Sequence, residues 1–282
     1  MKSSFFALLL ALSLSANAHA SCAPHEPANC YQNDWQTIQD AGAEAIFHGD
    51  LDNHTSDLEC LKALVAHGLD LSKEGVWGSD RSSVSSAAHA GAPEILAYIL
   101  SQGVSIGDMN DAIVSGNLAD IAAVGGSAEV VKMLQARGMP ISYQNGTWPR
   151  GYMKPSNYFL ETCSPVMLEG ITYLRTELVS YLLSQGMNVN ARCNADSILM
   201  SNEGFNTPLL QLAASYEAFD NINGDVQARR LKANQLLKIL IDAGGDVNAR
   251  EDINGRSAAR LLLASNWISP AMKAEVIAHV KK

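Results

Sequence analysis

Past its first 20 residues the chain has no apolar run approaching the roughly 20 consecutive residues a membrane helix needs, so no membrane insertion is expected of it. Positive charge is also scarce. Lys and Arg number 20 against 29 Asp and Glu, for a formal net charge of −9. Such a surface repels nucleic acid and anionic lipid and suits a basic protein partner. Signatures of catalysis are thin as well. There is no His-Glu-x-x-His zinc helix, no Cys-x-x-Cys pair and no Gly-rich phosphate loop following a strand. The chain is therefore expected to be neither an enzyme nor a cofactor or metal protein. Hydrophobic residues are plentiful at 47% of 282, enough for one continuous core.

Residues 1–20 combine Lys2, an apolar run from Phe5 to Leu14, and Ala18-His19-Ala20 as a small-residue cleavage site. That is the pattern of a secretory signal peptide. A lipoprotein signal ending at Cys22 competes with it, but the position three before Cys22 is His19 rather than an aliphatic residue. Cleavage removes one lysine and no acid, leaving 19 cationic side chains against 29 carboxylates. The expected product is exported, with the periplasm as its compartment. Residues 21–33 then form an N-terminal lead-in, and 34–282 a single domain.

Within that domain one sentence recurs. Gly126 to Ile141 is an amphipathic helix with Val130, Val131, Met133 and Leu134 on its apolar side, closed by Gly138. Similar segments close at Gly68, Gly103, Gly186 and Gly244, and the first two intervals are both 35 residues. A fixed period of this size predicts stacked helical units that fold only together. About six helix pairs are expected, the first from Asp34 to Ala66 and the last from Ser257 to Val280.

The chain resembles ankyrin repeats, most closely in Glu177 to Cys193 and Leu236 to Asp252, each with an Asn-Ala-Arg that opens a finger loop. Thr207-Pro208-Leu209-Leu210 is similar to the family's Thr-Pro-Leu-His helix start, with Leu210 in place of the histidine. Ala87-Ala88 and Ala122-Ala123 match its small pair. The resemblance implies an all-α solenoid of helix pairs with finger loops. It also implies recognition of a protein partner by fingers and first helices.

Two later intervals are longer, at 48 and 58 residues. The first surplus falls in a finger, Ser142 to Thr162. The second divides between Asn194 to Gly204 and an inter-helix region, Tyr216 to Val226. The long finger concentrates Tyr143, Trp148, Tyr152, Tyr158 and Phe159 with Arg150 and Lys154, the residue types that dominate binding hot spots. Some of them would cover the stack; Arg150 and Tyr152 are expected to face the partner. Trp77, with Arg81, occupies another finger tip, and Arg192, Arg250 and Glu251 extend the same edge.

His48-Gly49-Asp50-Leu51-Asp52-Asn53-His54 holds two imidazoles and two carboxylates that could ligate zinc. It also aligns with an ordinary inter-helix turn, which is the preferred reading. Five cysteines in an exported chain are read as possible disulfides. By the resemblance Cys163 and Cys193 lie on adjacent fingers and are expected to pair. Cys22 and Cys30 flank the lead-in, and Cys60 is read as a buried thiol, with Cys30–Cys60 the competing pair.

Exported bacterial ankyrin proteins are similar to immunity proteins that neutralise antibacterial effectors, including phospholipases delivered by type VI secretion. That resemblance implies a monomeric binder whose Ser142–Thr162 finger blocks a toxin's active-site mouth. The competing expectations are an accessory partner of a periplasmic enzyme in oxidative-stress defence, and a metal protein or enzyme built on the histidine cluster.

Overall fold

The computed structural model of the protein describes residues 42–43, 45–46, 48–49, 54–73, 82–106, 118–139, 165–194, 205–219, 225–250 and 255–280. Among them are eleven helices: α1 (Leu58–Ala66), α2 (Ser83–His89), α3 (Pro93–Ser101), α4 (Leu118–Gly125), α5 (Ala128–Gln135), α6 (Pro165–Thr172), α7 (Thr176–Ser184), α8 (Pro208–Phe219), α9 (Val226–Asp242), α10 (Ala258–Ala264) and α11 (Pro270–His279). Helical backbone at 42–43 and 45–46 precedes α1 as its partner.

Local chemistry sets the helix ends. Asp57, Ser82, Ser127, Asp225, Ser257 and Ser269 accept backbone N–H bonds at the starts of α1, α2, α5, α9, α10 and α11. Pro93 and Pro270 occupy first-turn positions, where the missing N–H leaves nothing unsatisfied. At the other ends, Gly68, Gly103, Gly138, Gly186 and Gly244 all have φ between 82° and 103°, as their periodic spacing predicts. The residue after the glycine commonly folds back onto the helix. Leu69 N donates to Leu64 O at 3.0 Å, Met139 N to Leu134 O at 3.1 Å and Gly245 N to Leu240 O at 2.9 Å. That bond reverses the chain into the finger.

The helices pack in two layers. First helices α2, α4, α6, α8 and α10 stack in order, as do second helices α3, α5, α7, α9 and α11, and each pair forms a hairpin. Their facing stripes make one core, in which Ile95, Leu96, Ile99, Val130, Val131, Leu134, Leu178, Val179, Leu182, Leu236, Leu237 and Leu240 are essentially inaccessible. Fully burying each such side chain contributes about 1.5–3 kcal/mol. Ala87, Ala88, Ala122 and Ala123 let α2 and α4 approach closely. This is an all-α solenoid of stacked helix pairs, as expected.

Three features differ from expectation. The turn between the helices of the fourth pair has no glycine; Leu174 takes φ 55° where Gly91 and Gly126 serve the pairs before it, and it is buried. The surplus after Gly186 is partly helix: α8 spans Pro208–Phe219 as expected, but α9 starts at Val226, two residues before the expected Ala228. Cys60, read from sequence as a buried thiol with Cys30–Cys60 as the competing pair, is disulfide-bonded. The side chains of the other four cysteines, Cys22, Cys30, Cys163 and Cys193, lie outside the described residues, so the expected Cys163–Cys193 pairing does too.

Candidate functional site

The fingers begin with a repeated side-chain device. Asn188 Oδ1 accepts from Asn190 N, and Asp246 Oδ1 from Asn248 N, both at 2.9 Å. Asp70 Oδ1 accepts from Ser72 N at 2.9 Å and from Ser72 Oγ at 2.6 Å. Each is a turn in which a short polar side chain mimics the backbone. The Ser72 bonds hold the Asp70 carboxyl below its ordinary range, since they favour the charged form.

Neighbouring fingers are then tied sideways. Asn190 Nδ2 donates to Gly244 O at 2.9 Å, and its Oδ1 accepts from Asp246 N at 2.7 Å. One asparagine thus bridges both polar groups of the next finger's entry. Arg192 Nη2 donates to Arg250 O at 2.6 Å, and Arg250 Nη1 to Gly255 O at 2.9 Å. Within the fingers, β3 (Cys193–Asn194) pairs antiparallel with β4 (Phe205–Asn206), and Arg250 bridges Ser257. Ala258 N donates to Ala249 O and Ala259 N to Val247 O, anchoring the last finger to the start of α10. The result is a hydrogen-bonded edge of backbone, amide and guanidinium groups, preorganised for polar contact with another surface.

The sequence-predicted contact residues divide here. Arg192 is half-buried and its guanidinium holds the neighbouring finger, while Arg250 is exposed on the edge. Trp77, Arg81, Tyr143, Trp148, Arg150, Tyr152 and Glu251 lie outside the described residues, as does the whole Ser142–Thr162 finger. The bridging role of Asn190 is not among the sequence expectations, although Asn-Val-Asn and Asp-Val-Asn recur one repeat apart.

On the first-helix layer, Gln211 is fully buried and donates from Nε2 to Thr172 Oγ1 at 2.9 Å, which donates to Leu168 O at 3.0 Å. Glu169 and Tyr173 sit one turn apart on α6 and its C-terminal extension. Burial raises the Glu169 carboxyl above its ordinary value. Burial and then the Glu169 charge raise the Tyr173 hydroxyl, with Arg175 opposing them.

The His48–His54 stretch has an antiparallel backbone ladder, β1 (His48–Gly49) with β2 (His54–Thr55), pairing His48 with Thr55 and Gly49 with His54. The preferred turn reading agrees with this; the side chains and 50–53 are outside the described residues. Among those residues, no group of three His, Cys, Asp or Glu could hold a metal ion. Gly103-Val104-Ser105-Ile106-Gly107 has the Gly-x-Ser-x-Gly spacing of a hydrolase elbow. It follows helix α3 and contains that helix's stop glycine, whereas an elbow sits between a strand and a helix. No helix among the described residues is long and apolar enough to cross a membrane.

No family model matches the chain. No curated protein matches it either. Among solved structures it is similar to the human ASB11 ankyrin repeat domain, at 17% identity and a TM-score of 0.42, over 87% of this chain and 98% of that one. The solenoid assignment rests on the chain's own helix pairs, stop glycines and tied fingers.

Proposed function

We propose that the protein is an exported protein-binding module, and specifically an immunity-type inhibitor that covers the active-site mouth of a secreted antibacterial effector, such as a lipase. The observation that carries the binding role is the lateral tie of the fingers by Asn190 and Arg192. Loops linked in this way lose little further freedom on contact, so more of the contact energy survives as affinity. The net charge of −9 suits a basic partner and speeds its encounter electrostatically. The signal-like N-terminus and the resemblance to exported ankyrin proteins support the periplasm and the immunity role.

The test is periplasmic co-expression with effectors encoded beside the gene, scoring survival and complex formation. Wild type should protect. Alanine at Trp77, Arg150 or Tyr152 should each weaken the complex by about 2 kcal/mol if these are hot spots. Replacing Ser142–Thr162 by a short Gly-Ser turn should abolish protection. Full protection after that replacement rejects the finger as plug; failure of any neighbouring effector to bind wild type rejects the immunity role.

A further inference from the structure

The stop glycines set the second helices in one register. Eight residues before Gly103, Gly138, Gly186 and Gly244 stand Ile95, Val130, Leu178 and Leu236, all essentially inaccessible. Eight residues before Gly68, in the first pair, stands Cys60, which is 5% exposed and disulfide-bonded. A cross-link therefore enters the core at the position that an aliphatic side chain fills in four later pairs.

The place of Cys60 in the stack restricts its partner. Asp57 N donates to Ala45 O at 2.7 Å, joining α1 to the helical backbone before it. Ser83 Oγ donates to Leu71 O at 2.7 Å, joining the finger after α1 to α2. The α1 pair thus borders the α2–α3 pair, with α4–α5 and then α6–α7 beyond. Cys163 stands two residues before the start of α6, and Cys193 lies in β3 after α7. Both belong to the α6–α7 unit, three layers from Cys60. Packed helices lie about 8–10 Å apart, so three layers span about 24–30 Å. A disulfide holds its Cα atoms within about 7 Å. Within the chain, only Cys22 and Cys30 remain as partners.

We infer that Cys60 is cross-linked to the lead-in, residues 21–33, through Cys22 or Cys30, and that this bond is an oxidation-dependent cap on the N-terminal end of the stack. The terminal unit of a solenoid has a neighbour on one side only and needs a cover of its own. The lead-in supplies that cover, its half-cystine taking the place of a preceding pair. Reduction by a dithiol returns both sulfurs to thiols, the dithiol closing to its own disulfide, and releases the lead-in from α1. Five cysteines are an odd number, so at least one thiol stays reduced within the chain. Disulfides persist in oxidising compartments, which suits an exported chain. The inference stands apart from the binding role of the fingers.

The test starts from the purified full chain, alkylated without reductant, digested and mapped by mass spectrometry. A Cys60 peptide joined to one carrying Cys22 or Cys30 is expected. Cys60 found alkylated, or joined to Cys163, to Cys193 or to a second chain, overturns the inference. Hydrogen–deuterium exchange with and without dithiothreitol then reads the cap. On reduction, residues 58–71 should exchange roughly tenfold faster or more, with 258–280 unchanged. Cys60→Leu, which restores the aliphatic residue of the other second helices, should exchange alike with and without reductant. A Cys163→Ala/Cys193→Ala variant should keep the wild-type response of α1. The cap is overturned if wild-type α1 is indifferent to reductant, if Cys60→Leu responds as wild type does, or if the double variant loses the response.

Discussion

Gly125 closes α4 against α2, and adding one methyl group there probes how tightly the first helices are stacked. A Cβ on Gly125 would lie 2.1 Å from Ala88 O, 2.8 Å from His89 O and 2.9 Å from Gly91 N. All three are backbone atoms, so no side chain can rotate away, and α2 and α4 must separate. Overpacking in a core typically costs about 1–3 kcal/mol. With three rigid neighbours the expected cost of Gly125→Ala is at the top of that range, about 3 kcal/mol. The sign is informative because Gly125 lies outside the left-handed region, where alanine in a helix is ordinarily favoured by about 0.5–1 kcal/mol. Gly138→Ala is the matched control. Gly138 has φ 95°, and a Cβ added there would meet no atom within 4 Å. Only backbone strain opposes that change, at about 1 kcal/mol. Urea unfolding of the protein, followed by circular dichroism, measures both. A Gly125→Ala variant no less stable than Gly138→Ala would refute the close approach of the first helices.

Leu174 should show an inverted ranking: glycine relieves its φ of 55° while alanine keeps the strain, so Leu174→Gly should unfold at higher urea than Leu174→Ala, although both lose burial. Asn190→Ala should cost about 1–2 kcal/mol, two modest hydrogen bonds, and should speed amide exchange at Asp246. Glu169 governs a pH effect. Its folded pKa is raised by burial above 4.5, so the folded state binds the proton more tightly and stability falls as pH rises through that interval. Glu169→Gln should therefore leave stability unchanged well below pH 4.5 and raise it at neutral pH, by urea titrations across pH; equal stabilities at neutral pH contradict the assignment.

The repeat frame is legible in the sequence because it depends on local chemistry. A glycine is the cheapest residue at a left-handed helix stop, so Gly68, Gly103, Gly138, Gly186 and Gly244 mark the second helices directly. Leu174 is hidden for the converse reason: burial compensates the strain of a leucine at a turn that glycine usually fills. The early start of α9 is masked by Asn221, Asn223 and Gly224, which read as a broad turn although helix flanks them closely. Tyr216, stacked 6.4 Å from Trp267, belongs to the core and not to that turn. Cys60 sits on an apolar helix face, and such a position does not distinguish a thiol from a half-cystine, whose partner is set by tertiary contact. The finger edge is half legible: the repeated Asn-Ala-Arg locates it, but the bonds from Asn190 and Arg192 to the next finger arise only on stacking.

The most direct measurement of the central claim, that this solenoid binds a protein through its tied fingers, is hydrogen–deuterium exchange of the purified protein with and without a co-expressed effector. The account predicts added protection in residues 188–194 and 246–257, with the outer surfaces of α3, α5 and α7 unchanged. Protection confined to those second helices, with the fingers exchanging as in the free protein, would contradict it.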